Sequence, residues 1–489
     1  MSPAAAQDVI DVGEANILAA PTAPLVTEDD RLVLAGLRVF TEETFGGNGR
    51  VCASCHPPTN NFTIDPAFIR KLPSNDPLFV SEFDPNLRAL ERPKLLRQFG
   101  LVLVNIDGFD KPGVSRAVPH TLGLSQTIAK GATAFPLANM TGWSGDGSPG
   151  DGSLRSFALG AVKQHFPKTL ARRECSASAF DPATCDFRVP TDAELDALEK
   201  FQLFLGRQGE INIEPFSRKP NEIVFLDPFV EAGKALFHSV RGGNSGGKNF
   251  SCSSCHKNAG ANDRAGNGRL IAIGANKHSN APACRLPGIA PGDGGFSRLP
   301  LTVVAGSTFC RTTGDFDVAF SGKGQFNTPS LIEAADTPPF FHNNIVKTIE
   351  EAVAFYNSAV FALSPTGGGL PFDFSNREVR QIAALLRVLN ALDNMNNGDR
   401  FDHLAQRTAA SQPDLVAEAV EIAASETQDA IQVLTSGPVS LYADKGVVPL
   451  LRRALTLERQ ATASWDPGLL DTAMRLKDQA RDLMIEIRL

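Results

Sequence analysis

Two short stretches, Cys52-Ala53-Ser54-Cys55-His56 and Cys252-Ser253-Ser254-Cys255-His256, place a pair of thiols three positions apart with an imidazole directly after the second. That spacing suits the attachment of a c-type haem: two thiols add to the two vinyl groups of one porphyrin, and the next residue offers its imidazole to the iron. The competing reading of each C-x-x-C is half of a zinc site or a redox dithiol. No second C-x-x-C or H-x-x-x-H stands near either copy, which weakens the zinc alternative. The motifs therefore predict two covalently bound haem c groups, with His56 and His256 as iron ligands.

The elements that must position these turns are themselves repeated. Ala35-Gly36-Leu37-Arg38-Val39-Phe40 and then Gly46-Gly47 precede the first motif, and Ala232-Gly233-Lys234-Ala235-Leu236-Phe237 and then Gly242-Gly243 precede the second. Farther on, Arg116-Ala117-Val118-Pro119-His120-Thr121-Leu122 is echoed by Phe326-Asn327-Thr328-Pro329-Ser330-Leu331, and Ser153-Leu154-Arg155-Ser156 by Thr348-Ile349-Glu350-Glu351. Each half closes on apolar residues at three- and four-residue spacing, Thr191 to Leu205 and Ser375 to Leu392, which predicts helices. A duplicated unit follows. The expected fold class is mainly α: two cytochrome c-like helical haem domains related by duplication, residues 26–210 and 211–398, after an N-terminal arm 1–25 and before a helical C-terminal extension 399–489.

Within that extension, Leu415 to Leu434, Val447 to Ala463 and Pro467 to Leu489 read as three amphipathic helices forming a small appendage. Its residues do not choose among a dimer face, a docking element and a lid. Pro215, Pro220 and Pro228 punctuate an interdomain linker over residues 206–228. The long Gly- and Pro-rich loop from Gly260 to Ala319 is placed to cover a haem edge or a substrate entrance.

Composition narrows the setting. The chain has 489 residues, of which 42% are hydrophobic, and no long apolar run, which argues against a membrane span. A net charge of -7 disfavours nucleic acid, whose phosphates need a basic face. Of eight cysteines, four belong to the haem motifs. The others fall as close pairs in loop-like inserts, and disulfides Cys175–Cys185 and Cys284–Cys310 are expected, against the alternative of four free buried thiols. Covalent haem attachment takes place on the far side of the bacterial inner membrane, so a periplasmic or secreted protein is expected. The chain begins Met1-Ser2-Pro3-Ala4-Ala5-Ala6-Gln7, without the basic and apolar stretches of a secretion signal, and is read as a mature form with a replacement start residue.

Over roughly residues 25 to 395 the chain resembles the bacterial di-haem cytochrome c peroxidase superfamily, which includes the di-haem enzyme that matures tryptophan tryptophylquinone and, more distantly, the rubber oxygenases. The resemblance rests most on Thr328-Pro329-Ser330-Leu331, Pro338-Pro339-Phe340-Phe341-His342-Asn343-Asn344 and Thr348-Ile349-Glu350-Glu351-Ala352-Val353-Ala354-Phe355-Tyr356, which are similar to T-P-x-L, P-Y-F-H-D-G and T-L-E-E-A-V segments. It implies that Tyr356 stands where peroxidases place a Met, and the quinone-maturing enzyme a Tyr, as sixth ligand of the second haem. A phenolate there would pull the potential of that iron down and make it a charge store. The alternative is an ordinary core tyrosine, with His342 and His403 as competing ligands. Trp143, in Gly142-Trp143-Ser144-Gly145-Asp146-Gly147, matches a W-D-G segment whose Trp relays electrons between haems; a packing anchor is the other reading.

The chain departs from the resemblance at the first haem. Phe157 occupies the peroxidase Gln position, and Gln164-His165-Phe166-Pro167-Lys168 fills the region of the distal Glu, with no carboxylate offered there. Splitting a peroxide wants a group that takes a proton from one oxygen and returns it to the other, and His165 is the candidate, against a place on a helix surface. An apolar pocket lined by Phe157 suits instead the rubber oxygenases' use of dioxygen on an unsaturated hydrocarbon. No histidine closely follows His56 in Pro57-Pro58-Thr59-Asn60-Asn61-Phe62-Thr63, so the first iron is expected to be five-coordinate or water-bound at rest. The first reading is thus a di-haem peroxidase-like oxidoreductase using hydrogen peroxide. An oxygenase using dioxygen comes second, and a plain electron carrier third, for which Met140 is the ligand to check. Partners implied are a small redox protein (cytochrome c or cupredoxin) or an organic reductant, and a homodimer is the oligomer considered. Calcium, as in some relatives, would have only Asn60, Asn61 and Thr328 as conceivable donors.

Overall fold

The computed structural model describes residues 26–105, 108–110, 113–126, 153–215, 221–244, 249–261, 270–271, 326–364, 366–369 and 371–488. The arm 1–25, Met140, Trp143, Cys284, Cys310 and most of the loop from Gly260 to Ala319 lie outside these residues. The chain is mainly α-helical, with short two-stranded pairings between the helices.

In the first half, helix α1 (Glu28–Glu42) starts on a capping box in which Asp30 N donates to Thr27 Oγ1 at 3.0 Å while Thr27 N donates to Asp30 Oδ2 at 3.0 Å. Helix α2 (Leu154–His165) is capped by Ser153, and α3 (Asp192–Phe204) by Thr191 with Glu194. Helix α1 packs on α3, and Gly36 marks the crossing. A Cβ there would lie 2.1 Å from the Ala197 carbonyl oxygen, so only glycine fits. The second half repeats the device: α4 (Pro228–His238) crosses the later α6, and a Cβ on Gly233 would lie 2.0 Å from the Gln381 carbonyl oxygen. The repeated Ala-Gly of the sequence is thus the point of closest helix approach.

Between them come the short α5 (Ile349–Phe355), capped by Thr348 with Glu351, and α6 (Asn376–Thr408), a single helix of 33 residues capped by Ser375 with Glu378. At 1.5 Å per residue α6 is about 50 Å long. Its first part lies in the core of the second half with Ile382, Leu385 and Leu389, and its last part in the core of the first half with Phe401 and Leu404. Position 398, drawn from the sequence as a boundary, therefore falls inside a continuous helix. The closing segment expected to end at Leu392 also continues to Thr408.

The C-terminal extension is not the appendage that its sequence suggests. Helix α7 (Pro413–Thr435) buries Leu415, Val416 and Val420 in the first core and Ile431, Val433 and Leu434 in the second, and packs on residues 58–60 beside the first haem motif. Each such side chain contributes about 1.5–3 kcal/mol of burial, so α7 fastens both halves. Helices α8 (Val447–Ala463) and α9 (Pro467–Asp482) complete the layer. Lys477 on α9 is fully buried, its Nζ 2.8 Å from Asp402, 2.7 Å from Glu458 and 2.9 Å from Asp399, which ties α9 to α6 and α8.

The expected last helix stops at Asp482. In the first half, strands β1 (Leu101–Val104) and β2 (Val114–Ala117) form an antiparallel pair. Strand β3 (Glu222–Phe225), within the segment read as linker, pairs antiparallel with β4 (Ile485–Arg488) at the chain's end. Ile-Glu-Ile-Arg alternates with the period of a strand, so the tail returns to the junction of the halves.

Candidate functional site

The two C-x-x-C-H segments adopt the same turn. Cys52–Ser54 and Cys252–Ser254 are single 3-10 turns flanked by extended residues at φ -120° and ψ 169° for Val51, and φ -118° and ψ 166° for Ser251. Ser54 Oγ accepts from Val51 N at 3.0 Å and Ser254 Oγ from Ser251 N at 3.0 Å. His56 N and His256 N each donate to the first cysteine's carbonyl, at 3.0 and 2.9 Å. All four cysteines are unbridged and half-buried.

This arrangement fits c-type haem on its own geometry. Burial pushes the Cys52 and Cys252 thiols up to about 12 and that of Cys55 up to about 11, which keeps them protonated in the folded chain. Burial also lowers His56 and His256 to about 4, leaving neutral imidazoles with a lone pair for iron. His56 Nδ1 faces the Phe62 carbonyl at 2.9 Å, with the Pro119 carbonyl adjacent, which turns Nε2 outward. His256 has the Gly260 and Pro329 carbonyls in the equivalent place. Pro119 and Pro329 come from the echoed segments, so the repeat includes the support of each proximal histidine. Among the described residues, no three His, Cys, Asp or Glu side chains converge at metal-ligand spacing, so zinc finds no completed donor set.

No protein-family model matches the chain. It is 32% identical over 77 residues to the cytochrome-c peroxidase IdrP1 of Denitromonas iodatirespirans, a match covering 16% of this chain and 20% of that protein. The chain thus spans about a fifth of the length of the curated relative it matches. A solved structure of a MauG-like protein associated with microbial copper homeostasis aligns over 75% of this chain and 90% of that one, at 16% identity and a TM-score of 0.36. The chain resembles the di-haem cytochrome c peroxidases.

Around the two turns this peroxidase-like chain diverges. In the first half, the residue two before the first cysteine is Arg50, 1% exposed. Its Nε and Nη2 donate to the Pro77 and Leu78 carbonyls at 3.1 and 2.7 Å, and its Nη1 to Glu91 Oε1 at 3.0 Å. Glu91 Oε2 accepts from Leu103 N at 2.7 Å, and His165 Nδ1 stands 3.5 Å from Oε1. Burial alone pushes the Glu91 carboxyl up, but the adjacent His165 and the Arg50 charge hold it below the usual carboxylate range. The carboxylate missing near residues 164–168 is therefore supplied from far upstream.

His165 ends α2 and is mostly buried rather than on a free helix surface. Asn48, just before the haem turn, donates to the His165 and Pro167 carbonyls at 2.9 and 3.1 Å, fixing this end of α2. Phe157 is half-buried two turns earlier on the same helix. His120 is half-buried near His56, and loss of solvent around it lowers it to about 4.

In the second half, the position of Arg50 is taken by Phe250, which packs against the core. Tyr356 caps α5 and is enclosed by Phe355, Phe361 and Phe372, with ring centroids at 5.8, 5.0 and 5.9 Å. Burial and the nearby Cys252 and Cys255 push its phenol well above the usual range, and the ring packs against the same core as Cys252. Of the competing histidines, His403 is solvent-exposed on the part of α6 that belongs to the first core, and so does not reach the second turn. His342 stacks on Phe326 at 3.9 Å, and its carbonyl accepts from Ala117 N at 2.8 Å.

A buried polar seam joins the halves. Asn61 Nδ2 donates to the Asp336 carbonyl at 2.8 Å, and Asn390 Nδ2 lies 2.6 Å from Glu333 and 2.9 Å from Asp336. Arg207 Nη2 pairs with Asp393 at 2.6 Å. Burial raises Asp336 to about 7 and the α7 residue Glu426 to about 8. Asn60 donates through its amide nitrogen to Thr63 and Asp65, and Thr328 is buried, so the three conceivable calcium donors are separately engaged. Cys175 and Cys185 form the expected disulfide.

Proposed function

We propose that this chain is an extracytoplasmic di-haem c-type oxidoreductase that reduces hydrogen peroxide. The first haem would be held by Cys52, Cys55 and His56, and the second by Cys252, Cys255 and His256 with Tyr356 opposite. When bound, such haems supply iron centres that accept and deliver single electrons. The overall change is H2O2 with two electrons and two protons giving two waters, the electrons coming from a small redox protein or an organic reductant.

The observation that carries this reading is that two matching turns stand in unlike surroundings. Ionisable side chains that can handle protons cluster at the first, and aromatic rings enclose the second. His165 would move a proton from one peroxide oxygen to the other as their bond breaks. Tyr356, walled by phenylalanines and kept from water, would favour the oxidised state of its centre as a phenolate ligand. Trp143 is assigned as the electron relay. No described helix is long and apolar enough to cross a membrane.

Phe157, half-buried where a peroxidase Gln is expected, favours a second reading in which an unsaturated hydrocarbon and dioxygen meet at the first site. Stopped-flow mixing with one equivalent of hydrogen peroxide separates the two. The peroxidase reading predicts a rapid change in the haem absorption of the oxidised protein; indifference to peroxide, with a reduced protein that holds dioxygen stably, supports the oxygenase instead.

A further inference from the structure

We infer that Glu91 is a positioning residue for His165, and that the pair, braced by Arg50, is the proton-handling unit of the first haem site. This rests on the peroxidase reading above and adds to it the group that orients its acid–base residue.

The geometry is specific to one role for the carboxylate. Glu91 is 3% exposed and its side chain is wholly covered. Arg50 fixes Oε1 and the Leu103 amide fixes Oε2, at 3.0 and 2.7 Å, so the carboxylate cannot turn away. The remaining approach to Oε1 is taken by His165 Nδ1 at 3.5 Å. A carboxylate in that place selects the tautomer with the proton on Nδ1 and frees Nε2 for a second partner. The charged or titratable groups facing the imidazole are Glu91 on the segment before β1, Arg50 behind it, and His56 across the site. Lys163, on the same helix, is engaged outward with Glu174 at 2.8 Å.

In the reaction, His165 Nε2 would take the proton of one peroxide oxygen and return it to the other, which leaves as water. The O–O bond breaks as that transfer is completed, and the oxygen left behind becomes the second water with the reductant's two electrons and two protons from solvent. Glu91 donates no atom to the products; it stabilises the imidazolium at the halfway point. At the second turn Phe250 stands where Arg50 does, so the brace of this pair is not repeated there.

The test uses the full haem-loaded chain and two readouts. The first is the infrared stretch of carbon monoxide on the reduced first haem as a function of pH, which senses a nearby imidazolium without any peroxide chemistry. The wild-type stretch should shift with pH, His165→Gln should abolish that shift, and Glu91→Gln should move its midpoint to lower pH, with Glu91→Asp in between. The second readout is the rate constant with peroxide, expected to fall about 100-fold in His165→Gln and about tenfold in Glu91→Gln. A Glu91→Gln midpoint equal to wild type, or a pH-dependent stretch that survives His165→Gln, overturns the inference. If Glu91→Gln does not fold, Glu91→Asp, which keeps the charge against Arg50, decides by the same midpoint. A protein inert to peroxide whose carbon monoxide titration behaves as stated rejects the peroxidase reading while keeping the pair.

Discussion

The two haem-attachment turns share a backbone and the Ser54 and Ser254 hydrogen bonds that brace it, and differ in the side chains packed around them. Val51 and Ser251 have matching dihedrals, and Pro119 and Pro329 approach the two histidines in the same way. Yet Arg50, Glu91 and His165 make the first surroundings ionic, and Phe250, Tyr356, Phe361 and Phe372 make the second aromatic. Duplication has kept what holds a porphyrin and released what sets its chemistry. An iron in an apolar, aromatic setting is suited to holding charge, and one beside a proton carrier to turning over a substrate.

That contrast has energetic consequences of unequal size. Replacing Arg50 by Met strands Glu91 as an uncompensated buried charge and should cost about 3–5 kcal/mol, read from urea unfolding. The matching change in the other half, Phe250→Leu, removes only part of a half-buried apolar side chain and should cost about 1 kcal/mol. Similar losses at both positions would show that the two surroundings are energetically alike.

A smaller effect belongs to the seam the halves share. Asp336 and Glu426 are raised to about 7 and about 8 by burial, from ordinary values of 3.8 and 4.5. The folded protein therefore holds these protons after the unfolded chain has released them. Stability from this source is full below about pH 4 and declines as pH rises to about 8. Glu426→Gln should flatten the fall in urea midpoint between pH 5 and pH 8 by an amount on the order of 1 kcal/mol. An unchanged pH dependence would remove Glu426 from the seam's titration.

The repeat made much of the fold legible, because the same side chains meet the same demand twice. Gly36 and Gly233, legible in the sequence only as part of a repeat, mark the two helix crossings, and Val447 to Ala463 was bounded correctly by its own periodicity. The run of α6 beyond Leu392 was hidden because Asp393, Asn394, Asn397 and Asp402 are polar and yet buried, satisfied by partners from other elements. Strand β4 was hidden because its partner lies in the linker, far back along the chain. At the site, the matching turns of the two C-x-x-C-H segments could be anticipated from their spacing. Glu91 could not, since nothing local to His165 marks a carboxylate that arrives from the segment before β1; the contrast of Arg50 with Phe250 was the available sign.

The central claim is that both turns carry haem and that the two irons are unlike. Electron paramagnetic resonance of the fully oxidised chain tests it most directly, with Tyr356→Phe as the companion sample. The account predicts two distinct ferric signals of equal weight, one high-spin from the first site and one from a six-coordinate second site, with only the latter altered in Tyr356→Phe. A single signal accounting for both irons, or a second-site signal indifferent to the loss of the phenol oxygen, would contradict it.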